Sequence, residues 1–216
     1  MSRFRDVLTN IIIGGALDGD LYHRIFVVSA YSNVTNWLLE HKKTGEPGIY
    51  DLFVRGQDYR AALDEVLGKL TGINHGMEPV KLDLEVADNF ISGRVEQAKN
   101  YLVSLEEVMA SGYVDQQNIL LAAREILASI GEAHSAFNSV NILKNHGINA
   151  TLVDLCGFND TEYLTIDQRI EKAFSGLDFS ETIPVVTGYT KGTEGIMREF
   201  DRGYSEVTFS KIATRV

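Results

Sequence analysis

Three short apolar runs limit what this chain can fold into: RIFVVS at 24–29, INATLVDL at 148–155 and IPVVTG at 183–188. Runs of this length and composition suit strands, and the first and third are continuous enough to be buried on both faces. Long stretches with helical spacing separate them. Strands that alternate with helices are joined by crossovers, which give a mainly parallel sheet covered on both sides. The expected class is α/β.

The helical stretches can be placed by spacing. Val86, Phe90, Ala98, Tyr101, Leu102, Leu105 and Met109 recur every three to four residues, which predicts one long amphipathic helix over 84–110. A second is expected over 117–130. A third is expected to begin after Gly131, with Ala133, Phe137 and Val140 on one side, and to end at Gly147. Shorter helices are expected at 57–70 and 165–174, from Trp37, and from about Ser205, and an opening helix should end near Gly14-Gly15. Residues 46–82 otherwise give little signal. Only three prolines occur, so glycine supplies most of the punctuation.

Composition removes several function classes. An apolar fraction of 44% over 216 residues gives enough material for a sizeable core. The net charge of −10 argues against nucleic acid as a partner, because phosphate backbones require a basic face. No stretch approaches the roughly 20 apolar residues that span a bilayer, so no membrane partner is expected. The opening MSRFRDVLTNIIIGGALDGD imitates a signal peptide weakly, but Asp6, Thr9 and Asn10 interrupt its apolar run. Cys156 stands alone, which rules out an intrachain disulfide and suits a reducing, cytoplasmic setting. The five histidines show no metal-ligand spacing, so no protein metal site is expected.

Three segments could carry chemistry, since ligands of open α/β sheets sit beyond the carboxyl ends of strands. Ser29 to Asn36 follows the first strand; its hydroxyls could bind a ligand's oxygens or cap the next helix. Glu132 shares a helix face with Ala128, Ser135, Ala136 and Ser139, all small; it could face a ligand or be a surface acid in a first helical turn. The tract GYTKGTEGIMREFDRGYSE at 188–206 has Gly188, Gly192 and Gly195, which would let the backbone approach a phosphate, although no Walker motif closes it. Arg202, Ser205 and Glu206 then bring both charge signs together before a helix. That arrangement fits a zwitterionic ligand or a solvated ion pair.

Four motifs carry a resemblance to a known family. FVVSAYSNVTN (26–36), ILASIGEAHSAF (126–137), IPVVTGYTKGTEG (183–195) and FDRGYSEVTFSKIA (200–213) resemble, in order, motifs of the aspartate kinases, members of the amino-acid kinase superfamily. Tyr204 stands where the family usually has glycine, Glu206 where it has aspartate, and Asp201 where glycine is common; this variant looks like the subclass associated with ectoine biosynthesis. The resemblance implies a three-layer α/β/α sandwich. It implies transfer of the ATP γ-phosphate to the side-chain carboxylate of L-aspartate, with Mg²⁺ and in a homo-oligomer when complete. Arg202 and Glu132 would be the principal catalytic-site groups, Arg202 on a substrate carboxylate and Glu132 on the α-ammonium. Ser29 and Thr35 would lie near the acceptor or phosphoryl oxygens, Ser205 and Glu206 would complete the aspartate pocket, and Gly188 and Gly192 would lie near phosphate. Another amino-acid kinase, such as one acting on acetylglutamate, or a non-catalytic amino-acid-binding protein, are the other readings.

The family's first strand carries Lys-Phe-Gly-Gly-Thr-Ser, and this sequence opens where the family is already leaving it. Residues 1–216 are therefore expected to be the amino-terminal, aspartate-binding part of a catalytic domain. The first strand, nucleotide-binding half and regulatory domains would be absent, and the chain alone would be inactive.

Overall fold

The computed structural model describes residues 2–14, 21–200 and 203–216. Helix α1 (Ser2–Asp6) runs on in wider, π-type turns over Val7–Ile13 and is capped by Gly14; Gly15 lies outside the described residues. Strand β1 (Phe26–Val28) leads to a short helix α2 (Val34–Leu38), which begins before Trp37 rather than at it. Two helices then occupy the segment that gave little sequence signal: α3 (Ile49–Val54) and α4 (Tyr59–His75), the latter a turn longer than its spacing predicted. Helix α5 (Leu84–Ser111) matches its expected span, with the Asp83 carboxylate accepting the Val86 amide at one end and Gly112 in left-handed geometry (φ 72°) at the other.

One expectation is corrected by the next element. The two helices placed on either side of Gly131 are a single helix, α6 (Gln116–Asn145), and Gly131 lies in its middle. Glu132 is therefore not a surface acid in a first turn. Glycine usually marks a helix end, but here it answers a packing demand. A Cβ at position 131 would come within 2.7 Å of Val34 Cγ1 and 2.8 Å of Ala30 Cβ, so glycine lets α6 pass close under the loop after β1. Every residue from Leu127 to Ala136 is buried, as befits a helix covered on all sides.

The chain continues through β2 (Ala150–Val153), α7 (Ile166–Phe174), β3 (Ile183–Thr187), α8 (Ile196–Glu199) and α9 (Tyr204–Arg215). The three described strands form a parallel sheet in the order β1-β3-β2, with Phe26 beside Val185 and Val185 beside Leu152. β3 is central, and all five of its residues are buried. Side chains alternate across the pleat. Val185, Ile183 and Ala150 pack with Ala136, Val140 and Leu143 of α6, whereas Val186 and Val153 join a cluster that includes Ile170 and Phe174 of α7 and Ile212 of α9. The expected α/β fold is thus present, with helices on both faces of a small, open parallel sheet. On the α6 side, α4 and α5 add further helices. Lys99 of α5 pairs with Asp64 of α4, and Phe137 of α6 stacks on Phe90 of α5 at 3.9 Å.

Candidate active site

The carboxyl ends of β1 and β3 meet the middle of α6 and the start of α9, and Glu132 sits where they converge. Its side chain is 2% exposed. Oε1 accepts a hydrogen bond from Ser205 Oγ at 2.7 Å, while Oε2 has no partner among the described residues. The amides of Ala30 and Tyr189 face the carboxylate and favour its charged form, although neither makes a bond of normal geometry to Oε2. Burial outweighs them, and with the like charge of Glu206 nearby it raises the pKa to about 8.

Gly188, immediately after β3, makes this arrangement possible. A Cβ there would fall 2.3 Å from Glu132 Oε2 and 2.7 Å from Ser205 Oγ. Gly188 donates its amide to Val28 O at 2.9 Å, which ties the ends of β1 and β3 together. Gly192 is equally constrained, but by Ile166 Cγ1 at 2.4 Å and Glu194 Oε2 at 2.6 Å. At Gly188 the close neighbours are side chains, and at Gly192 the Ile166 backbone nitrogen joins them at 2.8 Å.

The other sequence-predicted residues fall around this centre. Ser29 is exposed just beyond β1, Thr35 is half-buried in the first turn of α2, and Glu206 is exposed in the first turn of α9. Arg202 and Asp201 lie outside the described residues. No side-chain hydrogen bond caps α2, whose cap is Asn33 at φ 68°, so the hydroxyls of 29–36 do not serve as its cap. Nor does Ser205 cap α9; its hydroxyl is committed to Glu132.

Three buried features escaped the sequence reading. Tyr189 donates its hydroxyl to Glu125 Oε2, and Glu125 Oε1 accepts the Met197 amide at 2.7 Å. Burial is the main cause that raises the Glu125 pKa. On the opposite side of Glu132, His134 Nε2 donates to Asn74 Oδ1 at 2.6 Å, Asn138 donates to the same oxygen at 2.7 Å, and Asn74 donates to Asp88 at 2.7 Å. Burial lowers the His134 pKa to about 4, opposed by the charge of Asp88. The ring of Tyr31, in the loop after β1, packs edge-on against His134 at 5.3 Å. At the end of β2, Arg94 pairs with Asp154 at 2.5 Å and lies 4.3 Å over the Phe158 ring. The spacing of Glu125 from Glu132, seven residues or two helical turns, is the one signal that places both on one face of α6.

A cavity of about 950 Å³ adjoins this centre, lined by Tyr101, Leu105, Ile126, Phe158, Tyr189 and Lys191 among others. Glu132 does not line it. Tyr189 belongs to both: it is among the residues that line the cavity, and its amide is turned toward Glu132. We place the candidate site at Glu132 rather than in the larger space because a buried carboxylate with an unused oxygen can bind a cation, whereas Glu125 and Lys191 are already hydrogen-bonded to protein. Among the described residues, no three His, Cys, Asp or Glu side chains converge on a metal position.

Over 216 residues, 99% of its length, the chain is 48% identical to the curated protein named Aspartate kinase Ask_Ect of Stutzerimonas stutzeri (strain A1501). The chain is thus similar to a curated aspartate kinase. It spans 45% of that relative's length. No protein-family model and no solved structure matches it. The matched span takes in all four segments read above, with Glu132, Gly188 and Ser205 among their residues. No helix among the described residues is long and apolar enough to cross a membrane.

Proposed function

We propose that this chain forms the L-aspartate-binding part of an aspartate kinase, which transfers the γ-phosphoryl group of ATP to the side-chain carboxylate of aspartate. The observation that carries the reading is the Glu132 carboxylate, buried at the strand ends with Oε2 unpartnered among the described residues. A buried carboxyl of this kind, ionised when a cation reaches it, matches a primary ammonium, and the α-ammonium of an amino acid supplies one. Ser205, held on the other oxygen, and Gly188, which leaves the space, fix the direction in which Glu132 presents itself.

The remaining roles follow from position. Arg202 adjoins the start of α9 and would grip a substrate carboxylate with its planar fork. Ser29 and Thr35, beyond β1, would face the acceptor carboxylate or the phosphoryl oxygens, and Glu206 would close the pocket beside Ser205. The resemblance would also put Gly188 and Gly192 near phosphate, on the side of the backbone away from the Glu132, Ser205, Ile166 and Glu194 groups that crowd their α-carbons. Phosphoryl transfer asks chiefly for alignment and charge neutralisation, and ATP would bring Mg²⁺ on its own phosphates. The whole enzyme would work in the cytoplasm, as a homo-oligomer.

Calorimetric titration of the full-length protein with L-aspartate, followed by trapping of the acyl phosphate with hydroxylamine, tests this reading. Saturable aspartate binding with ATP-dependent hydroxamate is the expected result. Binding without hydroxamate would leave an amino-acid-binding protein, and preference for acetylglutamate would assign a different kinase.

A further inference from the structure

We infer that Glu125 is a positioning residue that clamps residues 189–200 and Tyr204 onto α6 and thereby sets Ser205 against Glu132. Its functional half rests on the aspartate kinase reading above. The Glu125 carboxylate holds two distant points of one segment. Oε2 receives the Tyr189 hydroxyl, directly after β3 and Gly188, and Oε1 receives the Met197 amide at 2.7 Å, in the first turn of α8. A third point is held indirectly. The Tyr189 ring meets the Tyr204 ring edge-on, with centroids 5.9 Å apart and planes at 78°. Tyr204 is buried and immediately precedes Ser205, whose hydroxyl reaches Glu132.

The sequence is shaped to permit this. Gly195 adopts φ 73°, a left-handed geometry that glycine takes without strain, and so makes the turn that leads into α8 and Met197. The beginning of the segment is tied separately: Thr187 Oγ1 donates to Tyr189 O at 2.9 Å and accepts the Leu155 amide at 3.0 Å. Thr190 and Thr208 hydroxyls pair at 3.0 Å, which fixes the far end of the same turn to α9. Lys191 and Thr193 donate their amides to Leu155 O and Leu164 O, and Glu194 accepts the Ile166 amide, so the hold that Glu125 adds is on α8 itself, through Met197. Helix α6 thus carries two carboxylates two turns apart on one face. Glu132 is presented to ligand, and Glu125 shapes the wall that presents Ser205.

A merely structural hydrogen bond would, when removed, lower stability and impair both substrates alike. A positioning role separates them. In the full-length protein, Glu125→Ala is expected to speed amide exchange about ten-fold in 195–200 and 204–208, with α4 and α5 unchanged. The aspartate KM is expected to rise about ten-fold while the ATP KM and kcat stay within about two-fold. Glu125→Gln retains an acceptor for the Met197 amide and should restore most of the aspartate KM. Tyr189→Phe, which removes one bond and keeps the ring, should fall between the two and serves if the alanine variant does not fold. Unchanged exchange in that segment, or aspartate and ATP parameters that deteriorate together with thermal stability, would overturn the inference. A wild-type protein that neither binds nor phosphorylates aspartate would sink the kinase reading, and the exchange pattern would still decide the clamp.

Discussion

Glu132 combines burial with an oxygen that no described residue uses, and this sets how its site responds to pH. With a pKa near 8 the carboxyl is largely protonated in the ligand-free protein at neutral pH. An ammonium favours the ionised form and lowers that pKa, so binding releases a proton. Aspartate affinity is therefore expected to rise with pH up to about 8 and then level off. Titrations in buffers of different ionisation enthalpy should show a released proton at pH 7; a binding enthalpy independent of buffer would mean that no proton moves. Glu132→Gln keeps the shape and the Ser205 contact but cannot ionise. Loss of a charge-assisted bond worth roughly 1.5–3 kcal/mol should weaken aspartate binding about ten-fold or more. Gly188→Ala should do comparable damage from the opposite side, because its methyl would occupy the space of Glu132 Oε2. Some of this was legible in the sequence: a glutamate among small residues announced room around it. The partnership of Tyr189 with Glu125 was not, because 64 residues separate two side chains that only the close packing of α6 on β3 brings together.

At the scale of elements, spacing and caps located most helices and strands, and the main error fell on α6. Its Gly131 looks like punctuation because glycine costs an interior helix roughly 1 kcal/mol relative to alanine. What decides the matter is the loop after β1, which α6 could not approach with a side chain at that position. Gly131→Ala tests this balance of signs. Helix propensity predicts a gain of about 1 kcal/mol, while contacts of 2.7 and 2.8 Å predict an overpacking cost of about 1–3 kcal/mol. The expected net outcome is a lower denaturation midpoint together with weaker aspartate binding, since the displaced loop carries Ser29 and leads directly into α2 and Thr35. A more stable variant would show that the loop yields freely. Helix α3 went unread for a different reason. It spans six residues with no side-chain cap and packs two of them, Ile49 and Phe53, into the core, too short a pattern for periodicity to register.

Across the whole molecule, two buried titrating groups pull stability in opposite directions with pH. His134 takes up its proton near pH 4 when folded and near 6.5 when unfolded. The unfolded chain binds more protons between those values, so this contribution is complete above about 6.5 and is lost as pH falls toward 4, on the order of 3 kcal/mol in all. Glu132 behaves oppositely: folding holds its proton up to about pH 8 against 4.5 otherwise, and its contribution is lost as pH rises through that range. Stability should peak between the two. Urea titrations of His134→Gln are expected to flatten the acid side alone, and an unaltered acid slope would place the proton uptake elsewhere. The order of the sheet has a consequence for how such a chain is made. Its middle strand, β3, comes last of the three along the sequence, so β1 and β2 have no rung in common until residue 183 and beyond have left the ribosome. A nascent chain can meanwhile close the α5–α6 hairpin across a short connection, since those contacts are near neighbours. Among the described strands, β1 and β2 have no partner in the sheet through that interval, and the half-made protein is then a natural client for a chaperone.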